Sequence, residues 1–531
     1  MSDPKGATTL VDVMRRRTAL TPDAQYFSLF DEVVTYAQLW ERSARYAAGL
    51  AAAGLRAGDK LCLIYPTCAE FFYTFFGAMR LGAVPVPLYP TLSVEATASV
   101  FRDAEAVAVA TIGWFRAGVD ASVALAPTVR QVLEPNDLDS DAPPPPEHVA
   151  QPDDLCFLQY TSGSTGQPRG VVLSHTNVVE TTKFMSEAAG LTVEDRVVSW
   201  LPLYHDMGLI GCAFTPPLTA TPIWLLPPDL RNPRPWLETI TKVRATFTVS
   251  PDFGYRNCVR NVRDTSDFDL SSLKAALSGA EPVRSSTIDG FESHFGLKNV
   301  IAPCYGLAEA TLAVAICARG VPPRYDASGR WLSVGQPCPG VSLRISEPMR
   351  EDGPVDLVDL PPDTEGEICV KSPGVMQGYY NNPEATARVL TADGWLRTGD
   401  LGFVDAEGFL YVTGRLKDII IVGGQNIVPA DVEEIVDHVP GVRYSAAVGV
   451  NSERTGTQRL HVVAELREAT ADAGSVVREI VQRVHGGLGH RPARVLLVQP
   501  STIPKTSSGK IQRSRLVQMI ESDELADRVI E

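Results

Sequence analysis

The sequence predicts an α/β fold in which a parallel sheet is covered by helices. The observation behind this prediction is that strand-like and helix-like segments alternate near the N-terminus. In addition, 44% of the 531 residues are hydrophobic, which is enough for a globular protein with a large buried core. The first helix is predicted after Thr35, because Thr35 and Gln38 have the spacing of a capping box. Its apolar face is predicted from helical spacing to contain Trp40, Ala44, Ala47 and Leu50.

The next segments continue as a β-α-β unit. They are a strand over 60–65, a helix over 69–81 and an extended segment over 83–88. Four consecutive prolines at 143–146 cannot be helical and predict a stiff spacer. Two more strands, over 154–160 and 170–174, are predicted to form a hairpin around a glycine-rich loop.

The loop between these strands is the main indication of function. Its sequence is Tyr160-Thr-Ser-Gly-Ser-Thr-Gly-Gln-Pro-Arg-Gly170. Glycines let backbone N–H groups converge, hydroxyls add donors and the guanidinium adds a cation, so the loop suits a nucleotide phosphate. The spacing fits neither a Walker motif nor a dinucleotide fingerprint, and many loops of this composition are plain linkers. The predicted ATP-binding residues here are Thr161, Ser162, Gly163, Ser164, Thr165, Gly166 and Arg169.

Composition disfavours several other classes of protein. A net charge of −15 argues against nonspecific binding to nucleic acid or to an anionic membrane. The N-terminus lacks a signal-like segment, and Arg80 interrupts the apolar run over 71–87, so neither export nor a membrane span is expected. The nine cysteines are scattered without a C-x-x-C pair, which favours a reducing cytoplasm and disfavours a zinc site.

Further motifs follow the loop in a fixed order. They are Tyr204-His-Asp-Met-Gly208, Ser278-Gly-Ala-Glu-Pro282, Tyr305-Gly-Leu-Ala-Glu309, Gly394-Trp-Leu-Arg-Thr-Gly-Asp400, Gly414-Arg-Leu-Lys-Asp418 and Pro504-Lys-Thr-Ser-Ser-Gly-Lys-Ile511. With the loop, this ordered set resembles the adenylate-forming superfamily of acyl-CoA synthetases, fatty acyl-AMP ligases, peptide-synthetase adenylation domains and luciferases. The resemblance extends from about residue 36 to residue 516.

The resemblance implies two domains and a two-step reaction. A large N-terminal domain of layered β-sheets and helices, 1–416, is expected to bind ATP and the acyl substrate. A small, mobile α+β domain, 417–531, would rotate about a hinge at Lys417 between the half-reactions. A carboxylic acid would attack the α-phosphorus of ATP to give acyl-AMP and pyrophosphate, and the acyl group would then pass to a thiol.

Site residues follow from the resemblance motif by motif. Lys510 matches the catalytic lysine, which offsets the repulsion between carboxylate and phosphate. Glu309 is expected to hold Mg²⁺ together with Thr161, and both are also assigned to catalysis. The remaining nucleotide-binding residues implied are Gly279, Ala280, Glu281, Tyr305, Gly306, Asp400 and Arg415. Without the motifs, Tyr305 could equally be an aromatic residue of the core. Asp400 and Arg415 could then form an ordinary ion pair on the surface.

The acyl and acceptor sites are less fully specified. His205 matches a gate position, although an isolated histidine is more often structural, and the apolar residues 209–214 favour an acid without an amino group. Gly211 and Gly254 are assigned to the substrate pocket, and Gly423 and Gly424 to a passage for a pantetheine arm, or simply to a turn.

The thiol acceptor has two candidates. The motifs around 204–211 and 279–284 look closest to fatty acyl-AMP ligases, which serve an acyl carrier protein. Only 25 residues separate Glu309 from Gly335, however, so the insertion typical of that branch is missing or reduced. Transfer to CoA is therefore favoured, with transfer to a carrier protein as the alternative.

Two other classes of protein remain as alternatives, a light-emitting monooxygenase and an inactive nucleotide-binding module. The inactive module would be expected to have lost Lys510 or Glu309, and both residues are present.

Overall fold

The computed structural model describes residues 3–161, 168–229, 232–349, 356–423, 425–452, 457–467, 472–505 and 510–530. Its α-helices are α1 (Leu10–Leu20), α2 (Tyr36–Ala52), α3 (Ala69–Leu81), α4 (Val94–Asp103), α5 (Gly113–Val123), α6 (Pro135–Leu138), α7 (His175–Ala188), α8 (Arg234–Val243), α9 (Asp252–Asn261), α10 (Ser285–Phe295), α11 (Pro383–Ala387), α12 (Pro429–Asp437), α13 (Ala473–Leu488) and α14 (Arg513–Glu521). Met207–Phe214 forms a π-helix, and short 3₁₀ turns occur at Pro4–Gly6, Pro216–Leu218, Ala308–Ala310, Leu416–Asp418 and Ala526–Arg528.

Within the described ranges the β-strands are arranged in six sheets. The strands themselves have the following bounds. They are β1 (Gln25–Leu29), β2 (Glu32–Thr35), β3 (Lys60–Ile64), β4 (Val84–Pro87), β5 (Ala108–Thr111), β6 (Gln131–Leu133), β7 (Leu155–Thr161), β8 (Arg169–Ser174), β9 (Val197–Ser199), β10 (Ile223–Leu225), β11 (Phe247–Ser250), β12 (Ala275–Ser278), β13 (Ile301–Gly306), β14 (Ala313–Ile316), β15 (Gln336–Pro337), β16 (Ser342–Ser346), β17 (Gly366–Lys371), β18 (Gly378–Tyr379), β19 (Leu396–Val404), β20 (Leu410–Arg415), β21 (Ile420–Val422), β22 (Gln425–Ile427), β23 (Val442–Ser452), β24 (Thr457–Leu466) and β25 (Arg494–Val498).

The largest sheet has the order β15-β14-β13-β12-β11-β9-β10-β1-β2. Its six middle strands, from β13 to β1, pair in parallel, whereas the strands at both edges are antiparallel. A second, fully parallel sheet has the order β4-β3-β5-β6. Parallel strands joined by helices confirm the α/β prediction.

Local sequence signals account for several of these elements. The capping box forms: Thr35 Oγ1 accepts from the N–H of Gln38, and Gln38 Oε1 accepts from the N–H of Thr35. Helix α3 spans the predicted residues 69–81 and is apolar on most sides, which fits its burial against α2, the strands β3 and β4, and the aromatic side chains of β1. The predicted hairpin is also confirmed, because β7 and β8 pair antiparallel. Prolines 143–146 lie outside helices and strands.

Two antiparallel sheets complete the large N-terminal part. One is β18-β8-β7 and the other is β16-β17-β19-β20. The sheet β23-β24-β25 follows in the C-terminal part. One of its faces packs against α12 and α13, and the other packs against α14. The 3₁₀ turn Leu416–Asp418, which contains Lys417, lies between β20 of the N-terminal part and β21. Strand β21 is bonded to β24 of the C-terminal part, because the N–H of Ile421 donates to Gln458 Oε1.

Two further properties bear on the expectations from sequence. Within the described ranges, no helix has both the length and the apolar character needed to span a bilayer. All nine cysteines carry free thiols, and most of them are buried. Burial raises the pKa of several of these thiols, such as that of Cys369 to about 12, which suits a packing role.

Candidate active site

A cleft with a volume of about 1860 Å³ brings most of the predicted residues together. It lies between the N-terminal part and the C-terminal sheet, and both contribute side chains to its lining. The predicted site residues that line it are Thr161, Arg169, His205, Gly211, Ala280, Glu281, Tyr305, Gly306, Glu309, Asp400, Arg415, Lys417 and Lys510. These residues are separated by up to 349 positions in sequence, so their convergence is a property of the fold.

One wall of the cleft carries a hydrogen-bonded carboxylate. Asp400 on β19 lies directly opposite Arg415 on β20, and Arg415 Nε is 2.6 Å from Asp400 Oδ1. The Tyr305 hydroxyl donates to Asp400 Oδ2 at 2.8 Å. The charge of Asp400 is the largest influence on Arg415 and raises its pKa, while burial raises the pKa of Tyr305 and keeps the phenol protonated. Each carboxylate oxygen retains acceptor capacity, so Asp400 is suited to bind two adjacent hydroxyls.

Glu309 is held in the cleft by hydrogen bonds to both its side chain and its backbone. The Tyr379 hydroxyl donates to Glu309 Oε1 at 2.8 Å, and the N–H of Met376 donates to the Glu309 carbonyl at 2.8 Å. Thr311 has φ of 67° and ψ of −52°, and Leu312 N donates to the Ala310 carbonyl at 2.8 Å, which closes a strained γ-turn. Positive φ is unusual for a β-branched residue and occurs mainly where surrounding structure enforces it, as at functional sites.

The donor set can be compared with what a divalent metal requires. In the described ranges no cluster of three or more histidine, cysteine, aspartate or glutamate side chains forms a metal site. Glu309 and Thr161 supply oxygen atoms at the cleft, and Mg²⁺ commonly takes one or two protein oxygens and completes its shell with phosphate and water. These residues therefore fit a metal that is shared with a bound nucleotide and do not form a self-sufficient metal cage.

Lys510 enters the cleft from the C-terminal part. Burial by surrounding protein is the largest influence on its pKa, followed by the charge of Arg415; together they lower it, while Asp206, Asp400 and Glu309 act in the opposite direction. The amine therefore lies within electrostatic range of all four groups. Its side chain still has surface open to the cleft interior, where a substrate would bind.

His205 and Asp206 form a second polar pair near Lys510. His205 Nδ1 is 2.6 Å from Asp206 Oδ1, which also accepts from the N–H of Met207 at 2.7 Å. Burial raises the pKa of Asp206, but the charges of His205 and Lys510 and these hydrogen bonds outweigh it, so the pKa is lowered overall. The π-helix Met207–Phe214 begins directly after the pair, a geometry that is frequent at functional sites.

The β7–β8 hairpin contributes its base to the cleft. Thr161 and Arg169 are direct partners in its register, and the Arg169 guanidinium lies 5.3 Å from the ring centroid of Tyr379. The tip of the predicted phosphate loop lies outside the described residues, as does one glycine of the predicted pantetheine passage. The predicted residues concerned are Ser162, Gly163, Ser164, Thr165, Gly166 and Gly424.

An apolar lobe continues from the charged part of the cleft. Gly211 lies at its wall, where an added Cβ would come 3.2 Å from Leu312 Cδ2 and 3.8 Å from Met185 Cε. The lobe is lined by Met185, Ala189, Leu191, Val197, Gly211, Cys212, Phe247, Val249, Leu312, Ala313 and Ile316. A flexible hydrocarbon chain would fit this lining, because it offers apolar contacts with few hydrogen-bonding groups.

Three predicted glycines do not line the cleft. A Cβ on Gly254 would overlap Ser250 Oγ, and one on Gly279 would come 2.7 Å from Cys304 Sγ, so both positions serve close packing of neighbouring elements. Gly423 has φ of 58° and its N–H donates to Thr457 Oγ1 at 3.0 Å, which describes a turn packed against β24. Ile421, two residues before Gly423, lines the cleft instead.

The structure adds three residues that the sequence reasoning missed. Asp206 stood within a recognised motif, but only its neighbour His205 was assigned a role. Tyr379 lies 70 positions from Glu309, and no local pattern could have indicated their hydrogen bond. Arg284 also lines the cleft, and it binds a carboxylate of the C-terminal part.

Two family models match the chain. The model described as AMP-binding enzyme matches residues 14–380, and the model described as AMP-binding enzyme C-terminal domain matches residues 431–510. The chain is 34% identical to the long-chain-fatty-acid–AMP ligase FadD26 of Mycobacterium marinum, over 93% of this chain and 92% of that protein. It is 31% identical to the medium-chain-fatty-acid–[acyl-carrier-protein] ligase JamA of Moorena producens, over 97% and 95% of the two chains.

Solved structures also match over nearly the full length. A structure from a study of fatty acyl-adenylate ligases from E. coli and L. pneumophila superimposes with a TM-score of 0.87 at 29% identity, covering 98% of this chain and 99% of that chain. The McyG A-PCP structure complexed with phenylalanyl-adenylate has a TM-score of 0.89 at 25% identity, covering 99% and 85%. The alignment with JamA extends over 588 positions, more than the 531 residues of this chain, so JamA carries insertions that this chain lacks.

Proposed function

Because this chain belongs to the AMP-binding enzyme family, we propose that it joins a carboxylic acid to the AMP portion of ATP, releases pyrophosphate and then passes the acyl group to a thiol. It is a ligase of the acyl-activating kind. One observation carries the proposal: the amine of Lys510, the carboxylate of Glu309 and the Asp400–Arg415 pair line the same cleft as an apolar lobe. A charged reaction centre joined to an apolar chamber suits ATP and an acid with a hydrocarbon tail.

The proposed roles follow from charge and hydrogen-bonding capacity. Asp400 accepts hydrogen bonds from the ribose hydroxyls, and Tyr305 lies against the adenine. Lys510 lies between the acid and the α-phosphate and stabilises negative charge as the oxygen–phosphorus bond forms. Glu309 and Thr161 would hold a magnesium ion shared with the phosphates; when bound, that metal offsets the charge of the leaving pyrophosphate.

The acid is proposed to be a fatty acid. The lobe beside Gly211 is lined by aliphatic side chains and Phe247, and Thr215 and Thr248, which line the cleft on the same chain segments, are uncharged. Each methylene moved from water into such a lining stabilises the complex by about 0.8 kcal/mol. Amino acids are therefore disfavoured, as the apolar segment 209–214 also indicates.

The acceptor is proposed to be the thiol of a phosphopantetheine arm. CoA carries this arm as a small molecule, and the shortened stretch between Glu309 and Gly335 favours CoA. An acyl carrier protein is the second candidate, favoured by the similarity to FadD26 and JamA, whose names denote an AMP ligase and a carrier-protein ligase. The segment Leu416–Asp418 is the proposed hinge, with 1–416 and 417–531 as the moving bodies. Nine free thiols suit a reducing compartment such as the cytoplasm.

The proposal is tested by measuring both half-reactions with the full-length chain. Pyrophosphate exchange into ATP is measured with saturated acids of 4 to 18 carbons, with aromatic acids and with amino acids. Acyl transfer is then measured with CoA and, separately, with a holo-carrier protein. We expect exchange to require Mg²⁺ and to be fastest with fatty acids. No exchange with any acid from a folded sample would refute the proposed adenylation, and a thioester with only one acceptor would decide between the candidates.

A further inference from the structure

A buried carboxylate joins the N-terminal part to α12. The Asp437 side chain is only 4% exposed, and its Oδ2 lies 2.9 Å from Nη1 of Arg284 and 3.8 Å from Nη1 of Arg256. Its Oδ1 accepts a hydrogen bond from the Ser445 hydroxyl at 2.8 Å. A carboxylate with so little access to water needs such partners to remain charged. Two of these partners, Arg256 and Arg284, precede the 3₁₀ turn Leu416–Asp418 in the chain, whereas Asp437 follows it.

Both arginines are anchored at the rim of the cleft. Arg256 Nε is 2.8 Å from Asp252 Oδ2, and the backbone N–H of Arg284 donates to Asp252 Oδ1 at 3.1 Å. Arg284 follows Glu281 in a loop that lines the predicted nucleotide site, and both residues line the cleft. Among the described residues, the one hydrogen bond of the Arg284 guanidinium is to Asp437. Asp437 therefore fixes α12 against this rim.

The same helix supports the segment that contains Lys510. Glu433 lies one turn before Asp437 on α12, so the two carboxylates project from the same face. Glu433 Oε1 is 2.6 Å from Nη2 of Arg513, which begins α14 just after Lys510. A shift of α12 away from the arginines would thus also shift Arg513 and, with it, the lysine.

The contact between α12 and the N-terminal part is rich in charge along its length. In the first turn of α12, Asp431 forms an ion pair with Arg330 of the N-terminal part, and at the last residue Asp437 binds Arg284 and Arg256. Inter-domain contacts with much polar character permit relative motion more readily than large apolar ones. An interface of this kind can hold one orientation firmly without making it permanent.

We infer that Asp437 is a positioning residue for the adenylation step: its ion pairs with Arg284 and Arg256 hold α12 so that Lys510 reaches the cleft. The role rests on the proposed function and deepens it, because it names the contact that sets the lysine in place. It also separates the two half-reactions. Transfer of the acyl group from finished acyl-AMP does not need Lys510 and so does not need this contact.

The test compares three variants of the full-length chain. Asp437→Asn removes the charge at nearly constant shape, Asp437→Glu restores the charge, and Glu479→Gln is a control that breaks an exposed pair within α13. Each is assayed for pyrophosphate exchange and for thioester formation from synthetic dodecanoyl-AMP with CoA or holo-carrier protein. We expect Asp437→Asn to lower exchange about tenfold or more, because Arg284 and Arg256 stay charged and largely buried while losing the carboxylate that offsets their charge. Thioester formation should stay within about twofold of wild type, and Asp437→Glu should recover much of the exchange.

A merely structural role predicts a different pattern. If Asp437→Asn lowers both half-reactions equally together with the melting temperature, or leaves exchange unchanged, the positioning role is wrong. Small-angle X-ray scattering gives a readout without substrate: we expect a larger radius of gyration for Asp437→Asn than for wild type and Glu479→Gln. An active wild type with an unaffected Asp437→Asn variant refutes only the positioning role. An inactive wild type refutes the proposed function, and scattering then decides whether Asp437 holds α12.

Discussion

Replacing Lys510 by alanine is the most direct perturbation of the proposed chemistry. The lysine lies within electrostatic range of three carboxylates, Asp206, Glu309 and Asp400, and of one cation, Arg415. Its removal leaves an excess of negative charge at the point where an anionic acid must approach an anionic phosphate. We therefore expect binding of ATP to be largely kept, since Asp400, Tyr305 and the hairpin remain, while the adenylation rate falls sharply.

The size of the effect can be worked from Coulomb's law. Two unit charges about 4 Å apart repel by roughly 4 kcal/mol at an effective dielectric constant near 20. If Lys510 offsets that repulsion in the transition state, its loss slows adenylation by about 10³-fold, because each 1.36 kcal/mol is a factor of ten. The lowered pKa of Lys510 also means that adenylation should decline as the pH rises through that pKa, since only the protonated amine carries the charge.

The assay is acid-dependent pyrophosphate exchange, with nucleotide affinity measured separately by calorimetry. Lys298→Ala is the matched control, because Lys298 is exposed and does not line the cleft. Transfer from synthetic acyl-AMP to the thiol should persist in Lys510→Ala, which distinguishes a chemical defect from unfolding. Exchange within about threefold of wild type would refute the reasoning, because a loss that small corresponds to less than 1 kcal/mol.

Three other changes have defined outcomes. Gly211→Phe should reduce kcat/KM for long fatty acids at least about tenfold and spare butyrate, since its ring would enter the lobe beside Leu312. Excluding two methylenes of the acyl chain from the lobe already costs about 1.6 kcal/mol of binding. Equal losses of kcat/KM at every chain length would contradict this. Lys417→Pro should preserve pyrophosphate exchange and reduce thioester formation, because proline fixes φ at the proposed hinge and impedes rotation of the C-terminal domain. Equal loss of both half-reactions would count against the hinge. Burial lowers the pKa of His175 to about 4, and its Nδ1 accepts a hydrogen bond from the N–H of Leu10. As the pH falls, this histidine is therefore protonated in the unfolded chain before it is protonated in the folded chain, which lowers the free energy of unfolding. Between pH 7 and 4.5 urea denaturation should show about 2 kcal/mol more loss of stability in wild type than in His175→Gln.

Local sequence patterns were sufficient for several elements of the N-terminal part, including the hairpin that reaches the site. Helix α3 was predicted over the residues it occupies, and the capping box at Thr35 forms as its spacing predicts. The hairpin β7–β8 was likewise predicted from two apolar runs around a glycine-rich loop. Such features depend on residues close together in the chain, where burial on one face of a helix or strand imposes a regular spacing.

The motifs also identified most of the residues that the cleft brings together, but they did not specify how each is oriented. Gly254 illustrates the limit: its place in a glycine-containing segment suggested an open pocket, whereas the structure packs it against Ser250 and Trp200. A glycine is required both where a substrate passes and where two elements touch. The sequence does not distinguish these cases, because they differ only in what lies across from the missing side chain.

The sequence by itself determined the family, the α/β class, the charges available for an acid and a nucleotide, and the order of the motifs. Only the tertiary structure decided which groups meet: Tyr379 with Glu309, Asp206 near Lys510, and Asp437 with Arg284. The reason is physical. Helices and strands arise from interactions between near neighbours, whose spacing is written along the chain. Pairs separated by 70 or more residues form only after whole sheets and helices have packed, so their distances depend on the entire core and leave no periodic trace in the sequence.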